Sequence, residues 1–239
     1  MSPIWCRIEF MKKIIILLAA VLVIGVAGFI FYIAQDSPDE TSVENISNEG
    51  QKTIDVKDLN GTWVNNPSNA SSLIGYRVNE TFASDKVKKT AVGRTSNFDA
   101  EVTIRDNKLQ SATVEVLVKN LKSDSDRRDS AVNDRALEVS QFPNATLRII
   151  EPDVDLADVK QGEKFTKPLK GTLTLHGVTK DVSFEAEGNW GNTGINLAGS
   201  IQINLSEYDI EPPSVSGFVN VEDQGELEFQ INFIPKETK

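Results

Sequence analysis

The stretch KGTLTLHGVTKDVSFEAE, residues 170–187, changes character at every second position. Leu173 and Leu175 share one side of its first half, and Phe184 lies in the apolar set of its second half. Successive side chains of a β-strand point to opposite faces of the sheet. The pattern therefore predicts a hairpin that turns near Gly177 and has one apolar and one polar face.

The same alternation recurs along most of the chain and predicts roughly eight strands. Because no βαβ rhythm is present, the strands should be antiparallel, and they could close into a barrel or form two packed sheets. Apolar side chains of one phase would line the interior, either as a packed core or as the wall of a cavity. These candidate lining residues are Ile74, Tyr76, Phe98, Val102, Val114, Val116, Leu173, Leu175, Phe184, Ile201, Ile203, Phe229, Ile231 and Phe233.

One helix is predicted to interrupt the strands. Ser123 followed by Asp126 resembles a capping box, and the apolar spacing after it fits a helical face. Phe142-Pro143 ends this segment before the next strand.

Charge and residue counts exclude several function classes. The net charge of −10 disfavours nucleic-acid binding, which requires clustered basic residues. The only cysteine is Cys6, so the main domain has no disulfide. His176 is the only histidine, and metal sites or catalytic triads need further convergent groups around such a residue. We interpret His176 as a hydrogen-bonding turn residue on the polar face.

An uncharged segment at residues 14–34 predicts a transmembrane helix that acts as a signal anchor. A helix of this length, at about 1.5 Å per residue, covers roughly the 30 Å of a bilayer's hydrocarbon core. Lys12 and Lys13 precede it and acidic residues follow, which predicts a cytoplasmic N-terminus and an extracytoplasmic main domain. The alternative is secretion after cleavage of a signal peptide.

These signals divide the chain into five parts. We expect a short cytoplasmic N-terminus at 1–13, the anchor at 14–34 and a flexible acidic linker at 35–61. The β-domain would occupy 62–235, and a short tail would follow at 236–239.

Two motifs resemble those of the YceI family of bacterial lipid-binding barrels. One places Arg128-Asp129 on a helix before the aromatic-proline pair Phe142-Pro143, and the other is the hairpin from Leu173 to Lys180, which contains His176 and Gly177. The resemblance implies a lipocalin-like, eight-stranded antiparallel barrel with one inserted helix. It also implies a long polyisoprenoid ligand, such as the tail of a quinone. No other cofactor is expected.

Three functions are therefore considered. The first is a non-enzymatic carrier or sequestering protein that holds an isoprenoid or similar apolar lipid inside a membrane-tethered, extracytoplasmic barrel. The second is an envelope-stress or interaction protein with a solid barrel core, and the third is an enzyme acting on a buried lipid. No catalytic or metal-binding residue is assigned. The Arg128-Asp129 pair either fastens the helix to the barrel rim or contacts a ligand head group.

Overall fold

The computed structural model describes residues 37–82, 87–149, 154–212 and 219–237. The chain divides into two compact units, Met1–Pro38 and Asp39–Lys239, and the second contains the β-fold. The predicted membrane anchor, residues 14–34, lies outside the described residues. Within the ranges that are described, no helix has both the length and the apolar character needed to cross a membrane.

The second unit consists mainly of strands. In chain order they are β1 (Gly61–Asn65), β2 (Leu73–Phe82), β3 (Val87–Thr95), β4 (Phe98–Arg105), β5 (Lys108–Leu117), β6 (Asn144–Ile149), β7 (Val154–Asp155), β8 (Phe165–Leu175), β9 (Val178–Gly191), β10 (Gly194–Asn204) and β11 (Val219–Pro235). Helix α1 (Asp126–Ala131) continues into a π-helical turn (Val132–Ala136), and short 3₁₀ turns cover Val43–Asn45, Val118–Asn120 and Leu205–Tyr208.

Eight strands close into an antiparallel barrel in the order β1–β4–β5–β6–β8–β9–β10–β11. Strand β1 completes the ring, since Trp63 pairs with Val102 of β4 on one side and with Pro235 of β11 on the other. The β2–β3 hairpin adds to the first part of β11, and β7 pairs with β5. The predicted eight-stranded antiparallel barrel with one helix is confirmed, and the two-sheet alternative is wrong.

The β8–β9 hairpin has the predicted register. Leu175 pairs with Val178, so His176 and Gly177 form a two-residue turn with φ values of 50° and 76°. Positive φ at both positions is the geometry of the type I′ turn, which matches the twist of the flanking strands. A Cβ at Gly177 would lie 2.6 Å from the Phe142 ring, so the site requires glycine for space as well as for φ.

The start of the helix differs from the predicted capping box. Ser125 is the N-cap, and its hydroxyl accepts a hydrogen bond from the Arg128 amide at 3.3 Å. Ser123 instead bonds the carboxylate of Asp129, with its hydroxyl at 2.7 Å and its amide at 2.9 Å. The sequence offers two serines near the helix start, and spacing alone selects the wrong one.

Part of the predicted flexible linker is folded against the barrel. We name residues 39–47 the strap; within it Val43 and Ile46 are buried. The Val43 amide donates to the Glu187 carboxylate at 2.8 Å, and farther along the Ile54 amide donates to the Asn192 carbonyl at 2.7 Å. For the strap and for Ile54, the flexible-linker expectation is therefore wrong. A strap held by two apolar side chains and scattered hydrogen bonds leaves no periodic signal in the sequence.

The outer face of β11 is buried as well. Alternation predicts that Glu228, Gln230 and Asn232 face solvent, but their relative exposures are 2%, 5% and 0%. The strap and the loop before β2 lie over them and supply hydrogen bonds. Glu228 accepts from Arg94 Nε at 2.7 Å and lies 3.5 Å from the Arg77 guanidinium. Burial of these polar groups is compatible with stability because each is hydrogen-bonded or paired.

Two apolar clusters fill much of the barrel. The first is built mainly from β1, β4, β5 and β11, and the second mainly from β8, β9 and β10. Buried members of the first are Leu59, Trp63, Phe98, Ala100, Val102, Ile104, Leu109, Val116, Val118, Trp190, Ile195, Ile231 and Phe233. Those of the second are Ala136, Leu173, Leu175, Phe184, Ala186, Ile201, Ile203, Tyr208 and Ile210.

Candidate functional site

A cavity of about 60 Å³ lies at the end of the barrel that carries the β4–β5 and β9–β10 turns. Strands β4, β8, β9, β10 and β11 supply most of its wall, and residues before β1 and around β7 close it. The lining residues are Leu59, Val102, Ile104, Leu109, Val154, Leu156, Phe165, Lys167, Leu169, Ala186, Ile195, Leu197 and Phe233. Twelve of these thirteen are apolar, so the space favours a hydrocarbon group over a polar one.

A glycine in the wall lets two lining side chains approach the sheet. Phe165 pairs with Gly188 across β8 and β9, and Gly188 pairs with Leu197 of β10. A Cβ at Gly188 would lie 2.4 Å from the Phe165 ring and 2.7 Å from the Leu197 side chain. Because Gly188 has no side chain, Phe165 and Leu197 can pack against the sheet beside the cavity.

The cavity is small compared with a lipid chain. A water molecule needs about 10–15 Å³ of such space, so 60 Å³ corresponds to about four waters. Its apolar lining favours a short hydrocarbon segment over ordered water. Binding a longer chain requires that lining side chains move.

A buried polar cluster occupies the opposite end of the barrel. Arg128 of α1 makes two bonds with the Glu80 carboxylate, each 3.0 Å long, and it also bonds Asp124. Burial acts to lower the pKa of Arg128, but its bonds to these two carboxylates outweigh burial and raise that pKa above its ordinary value. The guanidinium is thus bound within the protein and fastens the helix to β2.

Two tyrosines are the interior groups that catalysis would most readily use. Burial raises the pKa of Tyr76 to about 12 and that of Tyr208 to about 12. Both hydroxyls therefore stay protonated at neutral pH and are poor general bases.

His176 is buried in a structural contact. Its Nδ1 lies 3.0 Å from the Tyr208 carbonyl oxygen and its Nε2 lies 3.1 Å from a Glu138 carboxylate oxygen. The Phe142 ring meets the imidazole edge-on, with centroids 4.5 Å apart. The turn role is as expected from the sequence, but the expected exposure on the polar face is wrong, because Phe142 and Tyr208 pack over the turn.

Trp190 carries a buried donor next to the cavity wall. Its indole N–H has no hydrogen-bond acceptor among the described residues. Trp190 pairs in register with Ile195, which lines the cavity. An unpaired buried N–H of this kind costs about 1–3 kcal/mol.

Comparison with known proteins identifies the family. The model of the YceI-like domain matches residues 63–233, which is almost the whole barrel. The chain belongs to the YceI-like domain family.

Relatives of this YceI-like chain include two UPF0312 proteins. One from Vibrio parahaemolyticus is 26% identical over 139 residues, which make up 54% of this chain and 70% of that protein. One from Pseudomonas putida is 30% identical over 133 residues, or 52% of this chain and 66% of that protein. Among solved structures, a polyisoprenoid binding domain from Saccharophagus degradans, implicated in plant cell wall breakdown, has a TM-score of 0.57 at 16% identity. The match covers 74% of this chain and 100% of that domain, and at this identity the likeness concerns the fold.

The predicted lining residues fall in different parts of the YceI-like barrel. Val102 and Phe233 line the cavity. Tyr76 lies beside the buried polar cluster, where Arg128 and Asp129 act on its ionisation. The remainder pack in or against the two apolar clusters: Ile74, Phe98, Val114, Val116, Leu173, Leu175, Phe184, Ile201, Ile203, Phe229 and Ile231. Their contact with a lipid stays a prediction.

The family-motif residues hold the helix end of the barrel together. Arg128 and Asp129 bind β2 and the loop before α1. Phe142 packs on the β8–β9 turn, and the Pro143 carbonyl accepts the Val118 amide at 3.0 Å. These contacts fasten the helix to the barrel at the end away from the cavity, and a head-group role for the Arg128-Asp129 pair stays an untested alternative.

Several cavity residues were missed by the sequence interpretation. Phe165 and Leu169 continue the β8 alternation upstream of Lys170, so a longer strand would have included them. Ile104, Ile195 and Leu197 follow the phases of their own strands. By contrast, Leu59, Val154 and Leu156 lie in or beside irregular segments, where periodicity gives no signal.

Proposed function

We propose that this YceI-like barrel binds the hydrocarbon chain of a lipid and catalyses no reaction on it. The observation that carries the proposal is the apolar cavity at one end of the barrel, with twelve apolar lining residues. The likeness in fold to a domain described as polyisoprenoid-binding supports an isoprenoid chain, such as a quinone tail, as the ligand class. The protein would act as a carrier or a sequestering protein.

Entry of the lipid's hydrocarbon chain would enlarge the cavity. The space of about 60 Å³ accepts the end of a chain, and Leu156, Phe165 and Leu169 are the side chains that would move to admit more. All three are only partly buried, which leaves them room to turn outward. Each buried carbon contributes about 0.8 kcal/mol, so one isoprene unit would contribute about 4 kcal/mol.

A binding role fits the chemistry of the interior better than catalysis does. The charged groups at the helix end are bonded to one another, and burial keeps both interior tyrosines protonated. Catalysis on a buried lipid would need a polar group with a shifted pKa next to the cavity. Among the described residues that line the cavity, Lys167 is the single charged one, and its ammonium is bound to Asp158.

The proposed location is the outer face of a cell membrane. The uncharged segment 14–34 and the lysines before it support a single-pass anchor with the barrel outside the cell membrane. A barrel held there could exchange lipid with the bilayer. Secretion after signal cleavage is the alternative.

Organic extraction of the purified full chain tests the proposal. Mass spectrometry of a chloroform–methanol extract should detect an apolar lipid in stoichiometric amount from more than one expression host. The matched control is Ala186→Val, which places two methyl groups at the cavity wall and should reduce the extracted lipid. Absence of an apolar ligand from every host would refute lipid binding.

The small cavity favours one second candidate, an interaction protein with a solid barrel core. Most of the interior is occupied by the two apolar clusters. In that case no lipid would be extracted, and Ala186→Val would change stability alone.

A further inference from the structure

In the part of the chain that the structure describes, one charged side chain, that of Lys167, lies in the cavity wall among apolar residues. Phe165, Lys167 and Leu169 share the inward phase of β8, and all three line the space. A lysine in that position covers apolar surface with its methylene stem and keeps its ammonium near water. The cavity wall therefore carries a cation at one edge.

The partner of that cation is weakly held. Lys167 Nζ lies 2.6 Å from Asp158 Oδ1, and the exposed fractions of the two side chains are 18% and 74%. Asp158 lies just after β7 on the segment that closes the cavity. Ion pairs with such an exposed partner contribute about 0–1 kcal/mol, so another anion could replace Asp158 at little cost.

An apolar cavity with a cation at its edge has the shape and charge of a site for an anionic amphiphile. We propose that Lys167 binds the anionic head group, a phosphate or a carboxylate, of a lipid whose chain enters the cavity, and that this head group replaces Asp158. The inference rests on the proposed lipid-binding function and adds the head-group chemistry to it. A charge-assisted hydrogen bond from an ammonium to such a head group is about twice as strong as one between neutral groups.

Another lysine nearby, Lys160, provides a control. Lys160 also belongs to the segment before β8, but it pairs with Glu163 and its side chain is 74% exposed. It does not line the cavity. Removing its charge changes the net charge of the protein by the same amount as removing that of Lys167.

Titration calorimetry on the purified full chain with farnesyl phosphate, farnesoate and farnesol tests the inference. Lys167→Gln should weaken binding of both anionic ligands by about tenfold or more, because a charged hydrogen bond is lost. Asp158→Asn should strengthen their binding up to about fivefold, because the competing anion is removed. Asp158→Asn should bind farnesol as the wild type does. Lys167→Gln should weaken farnesol binding much less than it weakens binding of the two anionic ligands, because glutamine keeps part of the apolar stem. Lys160→Gln should bind all three ligands normally.

The opposite results separate the two proposals. If farnesol binds but Lys167→Gln leaves the affinity for farnesyl phosphate and farnesoate unchanged, or weakens all three ligands equally, the head-group assignment is wrong and lipid binding stands. If inorganic phosphate competes with farnesyl phosphate at equal concentration, the chain is irrelevant and the amphiphile assignment is wrong. If no ligand binds the wild type, both proposals fail.

Discussion

Filling the cavity should stabilise the barrel. Ala186 lines the cavity and its relative exposure is 4%, so Ala186→Val places two methyl groups in existing empty space. At about 0.8 kcal/mol for each buried carbon, the free energy of unfolding should rise by up to about 1.6 kcal/mol. For a domain of this size, that corresponds to a Tm increase of up to about 3–6 °C.

Ala100→Val is the matched control for this substitution. Ala100 is also 4% exposed, lies on the inner face of β4 and does not line the cavity. The same two methyl groups have no space there, and overpacking should cost about 1–3 kcal/mol. Urea and thermal unfolding of the two variants would measure the difference. If Ala186→Val loses as much stability as Ala100→Val, the cavity does not exist in solution.

Three further substitutions test the contacts around the barrel. Asp129→Ala removes the carboxylate that accepts hydrogen bonds from Ser123 in the loop before α1. The free energy of unfolding, measured in urea, should fall by about 1–3 kcal/mol, and farnesol affinity should stay unchanged. A larger effect on affinity than on stability would assign the Arg128-Asp129 pair to the ligand. Gly177→Ala should lower the free energy of unfolding by at least about 1 kcal/mol, because φ is 76° and the new methyl group would meet the Phe142 ring. An unchanged midpoint of urea unfolding would contradict this expectation. Burial acts to raise the pKa of Glu187, but its bonds to Lys164 and to the strap outweigh burial and lower that pKa below the ordinary 4.5. The carboxylate therefore stabilises the fold above about pH 4.5 and loses this effect as the pH falls, so Glu187→Gln should have a lower Tm than the wild type at pH 7 and the same Tm near pH 3. A Tm gap that persists at pH 3 would contradict this assignment.

The barrel was predictable because its strands alternate regularly. Residues 170–187 placed Leu173, Leu175 and Phe184 on one face, and the hairpin register bears this out. Period-two alternation records which face is buried, but it does not choose between a barrel and two packed sheets. The resemblance to the YceI family favoured the barrel, and the pairing of β1 with both β4 and β11 shows it. Alternation fails on β11, where Glu228 and Asn232 are polar and buried, because other parts of the chain cover the outer face.

The cavity was much less predictable than the fold. Alternation identifies inward side chains but carries no information about the space between them, so Phe98 and Ile231 were grouped with Val102 although only Val102 lines the cavity. The position of the empty space depends on how Leu59 and Leu156 close the barrel end. Their placement comes from tertiary contacts of irregular segments, which single-sequence periodicity cannot detect.

The strap shows the same limitation. An acidic segment without periodicity predicts a solvated linker, yet Val43 and Ile46 are buried and the Val43 amide is bound to Glu187. Two apolar residues within a polar segment are too few to form a periodic pattern. They are sufficient for a local contact once the barrel surface is present.

Methyl NMR of the full chain would test lipid binding at this cavity most directly. With isoleucine δ1-methyl groups labelled, addition of farnesol should shift the signals of Ile104 and Ile195 and produce ligand contacts to them, because both line the cavity. Ile201 and Ile203 lie in the second apolar cluster and should change little. Ligand contacts confined to the second cluster, or no change at Ile104 and Ile195 with saturating farnesol, would contradict the account.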